Sequence, residues 1–219
     1  MNFNVSAVIF DMDGVITDTM PYHLKAWQSI FASCGITATY QDIYKREGQK
    51  GIDSVREIFG EHHVPYSEDI ALRLLKEKEE LFKRIFKRKF ILGSRPFIKN
   101  LYTQKFRLAL VTGTARHEAK KLLPKDLWDC FDVTVCGCDV QNGKPHPEPY
   151  LKALTKLDIK PSRAIVFENA PFGIRSAKKA KLKCLALETS LPKSFLTQAD
   201  AVFSSYKEVN AKLTLTRYN

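Results

Sequence analysis

Val8-Ile9-Phe10-Asp11-Met12-Asp13-Gly14-Val15-Ile16-Thr17-Asp18-Thr19 is the stretch whose reading decides the fold. An apolar, β-prone run from Val5 to Phe10 leads into it and stops at two carboxylates spaced i, i+2. Such a run predicts a buried parallel strand that delivers Asp11 to its C-terminal tip. Asp13 then falls in the loop beyond, with Gly14 easing a sharp backbone path. Open α/β sheets bind ligands in the crevice outside the carboxyl ends of their strands. Two acids at such a tip suit phosphoryl transfer. One attacks phosphorus and forms an aspartyl phosphate. The other handles the proton of the leaving group or of the incoming water. Asp and Gly after a strand also serve as ordinary turn residues, so the rest of the chain has to decide between the two readings.

The 219 residues are 44% hydrophobic and 27% charged, which suits one large globular domain or a domain with an inserted module. No apolar run approaches the roughly 18 residues of a membrane span, and no basic region followed by an apolar stretch opens the chain. A cytoplasmic protein is the expectation. The five cysteines (Cys34, Cys130, Cys136, Cys138 and Cys184) are odd in number and lack framework spacing, which points to reduced thiols. Cys136-x-Cys138 is too short for a redox or zinc pair. The formal charge of +11 admits nucleic acid, anionic small substrates or plain solubility. Part of it lies in Lys83-Arg84-Ile85-Phe86-Lys87-Arg88-Lys89, a basic run with interleaved aromatics. No nucleic-acid-binding motif accompanies this run, so it reads as a solvated helix end at a hinge, and nucleic acid is not an expected partner.

From Pro21 to Arg88 the pattern is helical. Ala26-Trp27, Ile30-Phe31 and Ile36 mark one amphipathic face, and Ser67-Glu68-Asp69 opens a long helix carrying Ile70, Leu74, Leu75, Leu81, Phe82, Ile85 and Phe86. After Gly93 strands alternate with helices: Arg107 to Thr112, Val133 to Cys136, Ala164 to Phe167, Cys184 to Leu187 and Ala201 to Phe203. The expected fold is α/β, a Rossmann-like parallel sheet with helices on both faces. Its core comprises residues 1–17 and 92–219, and a helical cap of residues 18–91 is inserted after the first strand.

Three further motifs fall at strand ends. In Leu110-Val111-Thr112-Gly113-Thr114, a hydroxyl and free backbone N–H groups suit a phosphate oxygen, although Thr114 also suits the cap of the next helix. In Gly143-Lys144-Pro145-His146-Pro147-Glu148-Pro149-Tyr150, prolines stiffen a loop that aims Lys144, whose ammonium offsets phosphate charge. His146 reads as a loop residue. In Val166-Phe167-Glu168-Asn169-Ala170-Pro171-Phe172-Gly173-Ile174, Glu168 and Asn169 offer oxygen ligands for Mg²⁺, and Gly173 suits a tight loop entering a helix from Arg175 to Lys181.

Taken in order, these stretches resemble the four motifs of the haloacid dehalogenase (HAD) superfamily, in its β-phosphoglucomutase-like group of phosphatases and mutases. The resemblance covers essentially the whole chain. It implies that Asp11 is the nucleophile and Asp13 the general acid/base, that Thr112 and Lys144 bind phosphate, and that Gly113 and Thr114 contact substrate. It also implies a Mg²⁺ site made of Asp11, the backbone carbonyl of Asp13, and Asn169 or Glu168. The fourth motif more often reads Glu-Asp, so Asn169 removes one negative charge from that site. Asp13 argues against the dehalogenase branch, where no leaving oxygen needs a proton.

The same resemblance makes His23 a residue near the general acid/base. Glu47-Gly48-Gln49-Lys50-Gly51 becomes a substrate-reading cap loop, and Lys78 a cap lysine that reaches the site. Where the sugar-phosphate mutase has an arginine for a second phosphate, this chain has Gly51 with Lys50 beside it. The expectation is therefore a monomeric phosphatase for a small phosphorylated metabolite, a sugar phosphate foremost. A sugar-phosphate mutase or an inorganic pyrophosphatase on the same fold is the alternative.

Overall fold

The computed structural model describes residues 1–218. Six parallel strands form the main sheet: β2 (Ala7–Phe10), β3 (Arg107–Val111), β4 (Val133–Val135), β5 (Ala164–Glu168), β6 (Lys183–Leu187) and β7 (Ala201–Phe203). Their order is β4-β3-β2-β5-β6-β7. The chain thus builds outward from β2 on one side, then returns to build outward on the other. That reversal splits the connections at β2 and opens the ligand crevice of such sheets at its carboxyl end.

Alternation along the strands sorts the core into two layers. Val8, Phe10, Leu108, Leu110, Ile165 and Phe167 face one side, with residues of α5 (Ser94–Thr103), α6 (Arg116–Leu122), α7 (Lys125–Trp128) and α10 (Tyr206–Lys212). Ala7, Ile9, Ala109, Val111, Ala164 and Val166 face the other, against α8 (Glu148–Leu157) and α9 (Pro171–Lys179). Phe10 is the hinge of the first layer: its ring stacks on Phe167 at 5.3 Å and meets Phe97 and Phe131 edge-on.

The expected strand from Val5 to Phe10 is divided. β1 (Asn2–Val5) leaves the main sheet and pairs in parallel with β8 (Thr214–Arg217), a strand that the sequence reading did not anticipate. The break falls at Ser6, whose backbone bonds Arg163 and Arg107 instead. The other strand expectations agree within a residue or so of the observed ends.

Between β2 and α5 lie only helices: α1 (Met20–Ala32), α2 (Tyr40–Tyr44), α3 (Gly51–Glu61) and α4 (Glu68–Ile85). Ser67 caps α4 through its hydroxyl, which accepts from the Ile70 amide. These helices enclose their own apolar cluster around Trp27, Phe31, Val55, Ile58, Phe59 and Leu74. The chain leaves for this layer and returns from it side by side. Thr17 bridges Phe90 antiparallel, the Asp18 amide donates to Lys89, and the Ile91 amide donates to Ile16.

All five cysteines are free thiols. Among the described residues no helix is long and apolar enough to cross a membrane.

Phe10→Ala is expected to cost about 3–5 kcal/mol, seen as a lower denaturant midpoint at unchanged m. Leu92→Ala, at a side chain 92% exposed, should stay within about 0.5 kcal/mol.

Candidate active site

The tips of β2, β3 and β5 meet at one buried point. Phe10 pairs with Phe167 in register and the Asp11 amide donates to the Phe167 carbonyl, so Asp11 stands level with Glu168. Lys144 arrives from the loop before α8 and places its ammonium between them. Nζ donates to Asp11 Oδ1 at 2.6 Å and to Glu168 Oε1 at 2.7 Å, and it lies 3.3 Å from the Val111 carbonyl. Each of the three residues is 1% exposed. Burial and the neighbouring carboxylates push Asp11 up to about 8 even against Lys144. Burial opposes the Lys144 charge, but the two carboxylates outweigh it and keep Lys144 an ammonium.

Glu168 is fully committed. Its Oε1 also accepts from the Tyr150 hydroxyl at 2.7 Å, and its Oε2 accepts from the Asn169 amide at 2.9 Å and the Ala170 amide at 3.4 Å. The expectation of Glu168 as a direct metal ligand is therefore not supported by the geometry, because both of its oxygens already hold the site together. Gly173 has a related part to play. It lies inside α9 rather than in a loop before the helix, and a Cβ there would stand 1.8 Å from Glu168 Oε1. Only a residue without a side chain lets α9 pack over that carboxylate.

At this point two buried oxygens, Asp11 Oδ2 and Asn169 Oδ1, lack a partner among the described residues. The Asn169 amide group is oriented by Nδ2, which donates to Ser190 Oγ at 2.8 Å. Buried acceptors without donors are costly, and both atoms are hard oxygen donors of the type Mg²⁺ takes. Among the described residues, no three His, Cys, Asp or Glu side chains converge on a metal position. A cation here would thus rest on a carboxylate, an amide and backbone oxygen.

Asp13 is held from two sides. From the sheet, Thr114 Oγ1 donates to its Oδ2 at 3.2 Å, with Thr112 Oγ1 more distant at 3.5 Å. Thr114 therefore serves Asp13 rather than capping α6, whose N-cap is Ala115. From the helical layer, Thr19 Oγ1 donates to Oδ1 at 2.5 Å and His23 Nε2 lies 3.5 Å away. Burial alone would raise Asp13, but the His23 and Thr19 contacts and the Lys78 charge outweigh it and hold it below the usual carboxylate range. His23 stacks on Phe82 at 4.3 Å, and its Nδ1 is 3.0 Å from Lys78 Nζ. Burial and the Lys78 charge both lower its pKa, which favours neutral imidazole.

The helical layer presses closely on this point. Gly48 (φ 78°) lies over the Lys144 stem, and a Cβ at Gly113 would come within 2.9 Å of the Gly48 carbonyl. A cavity of about 370 Å³ remains between the layers, lined by His23, Glu47, Gly48, Gly51, Lys78, Gly113 and Thr114 among others. Glu47 is half-buried in it; burial and the carboxylates of Asp13 and Asp11 push its pKa well up. Lys50 does not line the cavity. Its ammonium donates to the Gln141 carbonyl at 2.7 Å, tying the helical layer to the loop before Lys144.

Sequence reasoning gave no role to Tyr150, Thr19 or Ser190. Tyr150 and Thr19 sit within the motifs themselves, so their spacing was a usable signal. Ser190 carries none, because only the fold brings it to Asn169.

An α/β sheet whose strand tips gather an acid pair, a buried lysine and a hydroxyl defines a phosphoryl-transfer class of protein. The comparisons agree. Residues 8–187 match the family model described as haloacid dehalogenase-like hydrolase, and the chain belongs to that family. It is 34% identical to the phosphorylated carbohydrates phosphatase of Thermotoga maritima over 82% of this chain and 83% of that one. It is 26% identical to the β-phosphoglucomutase of Bacillus subtilis, over 95% and 93% respectively. The crystal structure of β-phosphoglucomutase from Clostridium difficile superposes with a TM-score of 0.79 at 26% identity, over 92% of this chain and 91% of that one. The chain is thus an enzyme of the β-phosphoglucomutase-like group of HAD phosphatases and mutases.

Lys144→Met should leave two buried carboxylates uncompensated and cost about 3–5 kcal/mol in denaturant unfolding. The variant's stability should fall as pH rises. Asp11, pushed up to about 8 even with Lys144 beside it, binds a proton more tightly in the folded than in the unfolded chain, and that advantage is lost as the pH climbs from the ordinary carboxylate range through the folded pKa.

Proposed function

We propose that this enzyme is a Mg²⁺-dependent phosphatase of small phosphorylated metabolites, with phosphorylated sugars as the foremost class, working through an aspartyl phosphate on Asp11. The observation that carries the reading is the state of Asp11: one carboxylate oxygen fixed by Lys144, the other buried and free of any partner among the described residues. The named activity of the Thermotoga maritima relative supports the substrate class.

Asp11 Oδ2, Asn169 Oδ1 and the Asp13 backbone carbonyl would hold the Mg²⁺. When bound, it offsets the repulsion between the attacking carboxylate and the phosphate dianion. Lys144 contributes to the same end with a fixed positive charge that needs no reorganisation during the reaction. Thr112, Gly113 and Thr114 offer a hydroxyl and backbone N–H groups to the phosphate oxygens. In the first step a carboxylate oxygen of Asp11 bonds to phosphorus, the bond to the leaving oxygen breaks, and Asp13 gives that oxygen a proton. In the second step water attacks phosphorus, Asp13 takes its proton, and the Asp11 carboxylate is released with inorganic phosphate.

Asp13 rests as a carboxylate in the substrate-free enzyme. An arriving phosphate dianion adds a like charge beside it and raises its pKa, which lets it carry the proton required. His23 and Lys78 orient Asp13 from the helical layer, and residues 18–91 act as the cap that excludes water during the first step.

A mutase is the second reading, favoured by the Bacillus subtilis relative. A mutase has to hold a bisphosphate by its non-reacting phosphate. At Gly51 a Cβ would already collide with Leu75, and Trp27 lies just beyond, so the position that the mutase fills with an arginine carries no side chain of its own and has no room for one. Hydrolysis is therefore preferred. A mutase would return a phosphorylated isomer and little free phosphate.

Phosphate release from a panel of sugar phosphates, nucleotides and pyrophosphate should require Mg²⁺ and stop on chelation. Asp11→Asn should lower kcat by roughly three orders of magnitude or more. Release that survives in Asp11→Asn would overturn the nucleophile. Asn169→Ala should raise the Mg²⁺ concentration for half-maximal rate by on the order of tenfold, read by titration.

A further inference from the structure

The cavity is longer than the catalytic point requires. Leu75, Lys78, Glu79, Phe82, Lys83 and Phe86 line it along α4, and their i, i+3, i+4 spacing makes them one helical stripe. At the helical rise, that stripe spans about 15 Å. Glu118, Lys121 and Leu122 of α6 face it from the sheet side. The result is a cleft between α4 and α6. It begins at His23 and Gly48 beside the catalytic centre and ends at the solvent-exposed side chains of Lys83, Arg88 and Lys121.

The chemistry changes along its length. The inner end carries Glu47 and Lys78. The middle is walled by the stacked rings of Phe82 and Phe86 and by Leu122. The outer end is cationic, and it absorbs part of the basic run that the catalytic motifs left over. Lys83 is already paired with Glu118 at 3.0 Å. Arg88 and Lys121 are in a different position. The Arg88 Nη2 donates to the Lys121 carbonyl at 2.6 Å, which fixes the two residues side by side. Among the described residues neither makes an ion pair with a carboxylate. Two cationic side chains that line one cavity mouth, on residues joined through the Lys121 backbone and without a carboxylate partner among the described residues, form a receptor for an anion.

We propose that the cleft between α4 and α6 takes the leaving group of an elongated phosphomonoester bearing a second anionic group, a carboxylate or a phosphate, which docks between Arg88 and Lys121. This rests on the phosphatase reading and names its substrate class. The reacting phosphate lies at the strand tips, an uncharged or apolar linker crosses Phe82 and Phe86, and the distal anion reaches the rim. The site differs in place from the Gly51 wall, which is formed by Leu75 and Trp27 at the inner part of the cavity.

The test uses the full enzyme with Mg²⁺. The substrates are ω-phosphooxyalkanoates and matching ω-hydroxyalkyl phosphates of increasing chain length, with α,ω-alkanediol bisphosphates as a third arm. Above a threshold length the anionic substrate should show a kcat/KM on the order of tenfold above its neutral twin, the scale of one charge-assisted contact. The ratio should collapse toward unity in an Arg88→Ala, Lys121→Ala double variant and persist in Lys207→Ala, a surface charge removed elsewhere. The carboxylate and bisphosphate arms show which anion is preferred, and preference for either supports the proposal. Equal kcat/KM for charged and neutral substrates at every length would overturn it while leaving the phosphatase intact. So would a preference that survives the double variant. If no ester of any length is hydrolysed, the phosphatase reading falls and the cleft assignment with it.

Discussion

An ammonium closed between two carboxylates, away from water, is the constraint on which the structure depends. Lys144 has no solvent to satisfy it, so Asp11 and Glu168 must stand within hydrogen-bonding reach. This requires β2 and β5 to be adjacent and in register. A buried ion pair of this type contributes little net stability against an apolar alternative, but breaking it is severe. Glu168 is in turn fixed by Tyr150 and by two backbone amides at the entry to α9. The lysine is therefore held in place, and the unpartnered oxygens left at the centre among the described residues are Asp11 Oδ2 and Asn169 Oδ1.

Asp13 is governed differently. Its partners come from both halves of the molecule: Thr114 from the sheet, and Thr19 and His23 from the helical layer, with Lys78 acting behind His23. The helical layer thus supplies the Thr19 and His23 contacts of Asp13, while the direct hydrogen-bond partners of Asp11 and Glu168 come from the sheet side. Asp13 therefore spans both layers, whereas the hydrogen-bond partners of Asp11 lie on the sheet side alone. This division suits a site that has to distinguish a bound substrate from water.

Much of this was legible in the sequence because it depends on local spacing. An apolar run ending in Asp11 and Asp13, a proline-stiffened Lys144, and an apolar run ending in Glu168 each announce a strand tip. Periodicity also separated the helical insert from the alternating core. What could not be read was set by long-range packing. Ser6 interrupts the first strand because its backbone serves Arg163 and Arg107, residues remote in the chain. β8 is a short, mostly exposed strand whose pairing with β1 leaves no strong apolar signature. Lys50 looked like a substrate ligand by position, yet the Gln141 carbonyl claims it. Glu168 looked like a metal ligand by type; in the fold its Oε1 meets Lys144 and Tyr150, and its Oε2 meets the amides of Asn169 and Ala170.

The paired crossings at Thr17–Asp18 and Lys89–Ile91 bear on how the chain acquires its shape. The central pairing of β2 with β3 joins segments separated by the whole helical insert. Contacts between such distant segments slow folding, because the loop must close before they form. Here the intervening helices gather around their own apolar cluster, and their ends emerge adjacent. Once they have collapsed, the span from Phe10 to Arg107 behaves as a much shorter loop. The logarithmic dependence of closure entropy makes the remaining cost small, about 0.6 kcal/mol for each doubling of length. A helical layer that exits where it entered is thus an insertion that a sheet can carry at little expense to its own assembly.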